Sequence, residues 1–266
     1  MISTTHLLLG LLGVVLYMAL LWVVSLYKKE ADIVDFGWAS SVAALGVWYS
    51  VIGEGDRASR LMLGAIAGVW GGRLSYHLFI KRVLVPGEDG RYKELRASWG
   101  ASASKNFLIF FTVQALLAFI LSISFIPAVS ISSEQVNRVV QSLGLLLAAI
   151  SICGEAISDA QLARFVRNPA NKGKVCSVGL WNYSRHPNYF FEWLCWCSYP
   201  LIAWGGIAWW MSLLSPLCML FLIVKVTGIP PTEARSMVSR PDAYREYQRT
   251  TSAFFPWWKK KGVIER

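Results

Sequence analysis

The sequence has little charge, little histidine and no recognisable nucleotide loop. Charged residues make up 16% of its 266 positions, where an average soluble domain carries about 25%. His6, His77 and His186 are the only imidazoles, and Cys195-Trp-Cys197 lacks the spacing of a zinc knuckle, so no metal site is expected. The five cysteines are an odd number and four lie in apolar stretches, which argues for reduced, buried thiols over a disulfide framework. A glycine-rich phosphate loop, a strand–turn–helix dinucleotide fingerprint and strand patterning are all missing, which excludes a Rossmann domain. No internal repeat or low-complexity linker divides the chain, so 1–266 reads as a single membrane domain. The first apolar run has no basic segment before it and no small-residue cleavage pattern after it, and is expected to be retained.

Apolar residues are abundant. They form 55% of the chain, with thirteen tryptophans, a side chain suited to the lipid–water boundary because an apolar ring carries one polar N–H. A helix needs about 20 apolar residues to cross the hydrocarbon. Seven stretches qualify: 5–27, 33–53, 61–83, 107–129, 139–159, 189–206 and 207–228, the last two separated by little more than Gly205-Gly206. Such segments must be helical, because lipid offers the backbone no hydrogen-bond partner. The expected fold is therefore all-α, a polytopic integral membrane bundle of about seven transmembrane helices.

The net charge of +10 does not point to nucleic acid, because the basic residues concentrate beside apolar spans. They follow spans one, three, five and seven, whereas the opposite loops hold only Arg57, Arg60 and Arg138. That alternation predicts an N-terminus outside and a C-terminus in the cytoplasm. The two long loops on the basic side, 81–106 and 161–187, exceed what connection alone requires and are candidates for function. The tail ends in Phe-Phe-Pro-Trp-Trp and Lys259–Lys261, read as an interfacial, polybasic end that meets the bilayer.

Ionisable groups inside spans are costly unless they face a partner or a cavity. Span two opens with Asp32 and Asp35. Span three holds Arg73 with Tyr76 and His77 at the next turn. Span five carries Glu155 and Asp159, and span six carries Asn188 and Glu192, each pair four residues apart on one face. One reading is a shared polar cavity open to the cytosol. The other is an Arg73 pair with Asp35 or Glu155 that locks helix packing.

The run 179–192, Gly-Leu-Trp-Asn-Tyr-Ser-Arg-His-Pro-Asn-Tyr-Phe-Phe-Glu, is the most informative. Pro187 suits the first turn of a helix. Arg185 and His186 then sit at a helix start with free N–H groups, a combination suited to phosphate or carboxylate. The same elements also suit a capped helix whose arginine meets anionic lipid.

These residues carry a family resemblance. Asp159-Ala-Gln161, Gly179-Leu-Trp181, Ser184-Arg-His-Pro-Asn-Tyr189 and Glu192 resemble the DUF1295 branch of the steroid 5α-reductase-like membrane proteins. Gly87-Glu-Asp-Gly-Arg-Tyr92, Gly228-Ile-Pro-Pro and Tyr244-Arg-Glu-Tyr247 agree with it, so that the likeness covers roughly 32–258. The wider superfamily includes sterol reductases and isoprenylcysteine carboxyl methyltransferases. The resemblance implies an NADPH site facing the cytoplasm. In it Asn188 and Glu192 would meet the nicotinamide side, Asp159 a ribose or adenine, and Arg164 or Arg167 the phosphates along with Arg185, with Tyr247 beside the cofactor and Arg91, His186 and Tyr189 also among the cofactor-binding residues. Two departures stand out. Phe191 replaces the family's usual glycine, and span two lacks the Gln-Glu pair with which the steroid reductases polarise a ketone.

The expected activity is NADPH-dependent reduction of a conjugated C=C bond in an apolar, lipid-like substrate. Tyr76 would be the hydrogen-bond donor, Asp35 or Glu192 would orient it, and Arg73 would tune it. The alternatives are an S-adenosylmethionine-dependent membrane methyltransferase and a non-enzymatic lipid-binding or transport protein. A bacterial inner membrane and an endoplasmic-reticulum-like membrane fit equally.

Overall fold

The computed structural model describes residues 2–259, so Lys260 and Lys261 of the expected polybasic end lie outside it. In chain order the helices are α1 (Thr4–Lys28), α2 (Ile33–Ile52), α3 (Arg57–Leu78), α4 (Gly90–Trp99), α5 (Ala103–Ser122), α6 (Ile126–Ser130) and α7 (Arg138–Arg167). They continue with α8 (Pro187–Trp196), α9 (Ser198–Ile202), α10 (Leu214–Phe221), α11 (Ile229–Ser239) and α12 (Pro241–Thr250). No strand occurs among the described residues, where a lone bridge joins Ser184 to Ser252. Thr4–Lys28, Gly90–Ser130, Arg138–Arg167 and Trp209–Ser239 are long and apolar enough to cross a bilayer. The chain is an all-α integral membrane protein.

Helix covers the first five expected spans because their apolar runs are long, although the fourth passes through a 3-10 turn at Ile123–Phe125 before Pro127 and α6. The sixth differs. It divides at Cys197 into α8 and the five-residue α9. The seventh is a composite in which α10 runs into a π-helical turn at Leu222–Val226 and then breaks at Gly228. A Cβ at Gly228 would sit 2.7 Å from the Ile223 carbonyl oxygen, so the turn requires glycine.

The chain packs as two compact units. Unit 1 holds the residues up to Ser142 together with Tyr199–Leu214. Asp56 Oδ2 accepts the Ser59 amide at 2.9 Å and so caps the start of α3. Helices α2 and α3 approach closely through small residues. A Cβ on Gly46 would lie 2.4 Å from the Ala67 Cβ, and one on Gly71 would lie 2.4 Å from the Ala43 Cβ. Backbones that close gain dispersion contacts that lipid cannot replace, which is the usual glue between helices in a bilayer. Leu8, Leu12, Leu16 and Leu20 on α1 are 53–60% exposed, while Val14, Met18 and Leu21 are buried. A helix apolar on both faces suits lipid on one side and protein on the other.

Unit 2 holds Leu143–Ser198 and the residues from Ser215 onward. Its framework joins the second half of α7 to the loop before α8. Trp181 Nε1 donates to the Ser158 carbonyl at 2.9 Å, and the Leu180 amide donates to Gln161 Oε1 at 2.9 Å. Gly179 makes this approach possible with φ +58°, since a Cβ there would come within 2.5 Å of the Gln161 amide. The C-terminal segment is strapped across the same loop. Arg185 N donates to Ser252 O at 2.8 Å, Trp257 N to Tyr183 O at 2.9 Å, and Ser184 Oγ to Phe254 O at 2.8 Å. Phe190, Trp193, Phe254 and Phe255 pack edge to face around it, with ring centroids 5.1–6.2 Å apart.

Phe191 has its own accommodation. A Cβ on Gly154 of α7 would fall 2.5 Å from the Phe191 ring. The extra volume on α8 is thus taken up by a missing side chain on α7, and Phe191 does not line the unit 2 cavity.

Candidate functional site

Unit 2 contains a cavity of about 570 Å³, within the range of small-molecule and cofactor sites. Its walls come from the last turns of α7, the loop after it, the first turn of α8, and one face each of α11 and α12. Cationic side chains are prominent: Arg167, Lys172 and Lys174 from α7 and its loop, Arg185 before α8, and Arg240 between α11 and α12. Among the described residues, no aspartate or glutamate lines it. A wall with a surplus of that sign favours an anionic ligand.

Aromatic faces complete the wall. Tyr189 stacks on His186 with centroids 5.4 Å apart and planes within 6°, and its hydroxyl lies 3.3 Å from Thr232 Oγ1. Tyr247 donates to the carbonyls of Trp181 and Ser184, which fixes it as a structural post. Burial pushes its phenol well above the usual range. Burial, reinforced by the Glu233 charge, does the same to Tyr244. The Cys176 thiol on the wall is also pushed up by burial, so it is a poor nucleophile at neutral pH.

One lining residue carries a polar atom without a bond. Asn188 Nδ2 donates to Asp159 Oδ1 at 3.3 Å. Its Oδ1 is buried and has no hydrogen-bond partner among the described residues. A buried acceptor left open costs free energy unless a ligand or water meets it.

The structure brings together many of the residues expected from sequence. Arg167, Arg185, His186, Asn188, Tyr189 and Tyr247 all line the cavity, and Asp159 reaches its wall through Asn188. Arg164 and Glu192 do not line it. Arg91 belongs to unit 1, where it donates to Asp89 Oδ1 at 3.1 Å and to Asp35 Oδ2 at 2.9 Å. Its charge is therefore committed within an ion-pair network.

The expected catalytic trio also lies in unit 1 and has a different arrangement from the one anticipated. Tyr76 is 69% exposed on α3, as a lipid-facing aromatic would be. Asp35 takes its phenol hydrogen bond from Tyr92 instead, at 2.7 Å. Arg73 is half-buried on α3, three residues before Tyr76.

Sequence reasoning missed Glu233. Its Oε1 accepts from Arg185 Nε at 2.7 Å and lies 3.2 Å from His186 Nε2, while Oε2 accepts from Gln248 Nε2 at 2.7 Å. The available signal was an acid just after the Gly228-Ile-Pro-Pro break, in a tail otherwise rich in arginine. Lys172, Lys174 and Arg240 were also missed, because exposed basic loop residues look like ordinary solvated charge.

The family described as protein of unknown function DUF1295 matches residues 21–251. The chain belongs to the DUF1295 family. The cavity of this DUF1295 chain falls within the matched region. An uncharacterized protein of Schizosaccharomyces pombe is 27% identical over 96% of the chain and 80% of its own length. A "probable O-methyltransferase" of Ustilaginoidea virens is 29% identical over 105 residues, 40% of the chain. The match spans only 37% of that relative's length. No solved structure matches the chain significantly.

Proposed function

We propose that the chain is an NADPH-dependent membrane reductase of a conjugated C=C bond in a lipid-soluble or steroid-like substrate. The observation that supports this most directly is the unit 2 cavity, with five cationic side chains and no acid on its walls among the described residues. NADPH carries several phosphate charges, whereas the sulfonium of S-adenosylmethionine would find no carboxylate partner in that lining. The Asn188 amide, which lines the cavity and whose Oδ1 has no hydrogen-bond partner among the described residues, would meet a carboxamide, the group at the nicotinamide end. Arg167, Lys172, Lys174 and Arg240 would hold the phosphates near the loop after α7.

When bound, the cofactor would supply the two-electron reducing chemistry. The protein's share is position and environment. The Tyr189 ring, backed by His186, offers a flat apolar face on which a heterocycle can lie. The Asp159–Asn188 hydrogen bond holds the Asn188 amide at the cavity wall. The buried tyrosines beside it limit water, which strengthens every charge interaction in the cavity. The apolar substrate would arrive from the bilayer. On the positive-inside argument, the basic segments around the cavity would face the cytoplasm, in a bacterial inner membrane or an endoplasmic-reticulum-like one.

A second reading is an S-adenosylmethionine-dependent methyltransferase. It is favoured by the name of the Ustilaginoidea virens relative and by Tyr189 and Tyr244 on the wall, whose ring faces could attract a sulfonium. Thermal stabilisation of the detergent-purified protein by NADPH, NADH and S-adenosylmethionine separates the two, because a ligand of the folded state raises apparent stability. NADPH is expected to give the largest shift. Preferential stabilisation by S-adenosylmethionine would reverse the assignment, and no shift with any of the three would favour lipid binding or transport.

A further inference from the structure

Glu233 is the acid that gathers the cavity's key donors, although it does not line the cavity itself. It sits on the second turn of α11 and bonds to groups from two other segments, Arg185 and His186 before α8 and Gln248 on α12. The guanidinium of Arg185 is 10% exposed and almost fully committed. Nε donates to Glu233, and Nη1 donates to the carbonyls of Gln248 at 3.2 Å and Thr251 at 2.5 Å. A guanidinium has five N–H donors in a fixed plane. The Tyr244 hydroxyl hydrogen-bonds within the same Arg185–Glu233 pair.

This geometry holds Nε and Nη1 by protein, on a side chain that also lines the cavity. The same carboxylate lies 3.2 Å from His186 Nε2, so it also sets the ring on which Tyr189 stacks. We propose that Glu233 is a positioning residue, locking Arg185 at the cavity wall where its guanidinium meets an anionic group of the ligand, and fixing the His186–Tyr189 stack beside it. The inference rests on the reading of the cavity as a phosphate-bearing cofactor site.

A carboxylate behind a cation can act in two opposite ways. As a mere counter-charge it weakens anion binding, and its neutralisation tightens the complex. As a positioning group it strengthens binding by keeping the arginine preorganised, and its loss loosens the complex. The sign of the effect decides.

The test is a double-mutant cycle on affinity for NADPH, measured by titrated thermal shift on the full-length protein in detergent. Glu233→Gln is expected to weaken NADPH roughly tenfold, the scale of one charge-assisted contact. In an Arg185→Ala background the same substitution is expected to cost little more, because the two residues act as one unit. Glu233→Asp keeps the charge but withdraws the carboxylate by one methylene, and is expected to weaken binding about threefold on the same scale. It carries the test alone if Glu233→Gln does not accumulate as folded protein. Unchanged or tighter binding in Glu233→Asp or Glu233→Gln, or losses that simply add in the cycle, would overturn the positioning role. If wild type responds to NADPH and the variants match it, only this inference falls. If wild type gives no response, the cofactor reading falls and takes the inference with it.

Discussion

The two units treat their charges differently. In unit 1 the cations have acids to meet. Asp35 receives Arg91 at 2.9 Å, Arg82 at 3.4 Å and the Tyr92 hydroxyl at 2.7 Å. Arg82 and Arg91 also reach Asp89, Arg96 reaches Glu88 at 2.7 Å, and Arg138 reaches Asp56 at 2.7 Å. Asp32 and Glu88 then accept backbone amides from Asp89 and Ala31, which ties the loop before α4 to the start of α2. In unit 2 five cations surround one cavity whose lining has no acid, and Arg185 is braced from behind by Glu233. A network that closes on itself fixes geometry, whereas one that leaves a surplus of one sign is suited to a ligand of the other.

The largest expected effect would break the unit 1 side of this contrast. Asp35→Ala leaves two arginines and a buried tyrosine without their shared acceptor and is expected to destabilise the fold by about 3 kcal/mol. Denaturant or thermal unfolding in detergent measures it, and a loss below about 1 kcal/mol would mean that the network is only surface pairing.

A smaller effect should appear in the pH dependence. Burial raises the Asp32 carboxyl to about 6, above the ordinary aspartate value near 4. A raised folded-state value means that the neutral form is favoured, so the associated stability is complete below about pH 4 and lost as pH rises through about 6. Melting temperatures from pH 4 to 8 should therefore decline more steeply for wild type than for Asp32→Asn, by on the order of 2 kcal/mol over the range. Parallel curves would remove Asp32 from the titration.

The smallest expected effects sharpen the unit 2 side. Arg167→Ala and Lys174→Ala should each leave unliganded stability within about 0.5 kcal/mol, as exposed substitutions do, and Arg240→Ala, which also loses its hydrogen bond to the Lys174 carbonyl, within about 1 kcal/mol. Each should weaken NADPH by roughly three- to tenfold, with a shallower salt dependence. If these variants lowered melting as much as Asp35→Ala, the surplus charge would be structural and the contrast would disappear.

Much of the helical layout was legible. Runs such as 5–27 and 139–159 are too long and too apolar to be anything but helix in lipid, and Pro187 marks the start of α8 as its fixed φ requires. The break at Cys197 has its signal in Pro200, which has no N–H to donate to the Trp196 carbonyl, but a reading by apolar run length alone passes over it. The site was legible where its residues share one short segment, as Arg185 to Tyr189 do. It was illegible where partners come from distant segments: Tyr92 for Asp35 across 57 positions, and Glu233 for Arg185 across 48.

By itself the sequence determined that this chain is helical, lies in a membrane and belongs to its family, because hydrophobic run length and local motifs are properties of consecutive residues. Only the tertiary structure decided which cations are neutralised and which surround open space. That depends on where separate helices bring their side chains, and neither periodicity nor spacing encodes the distance between them.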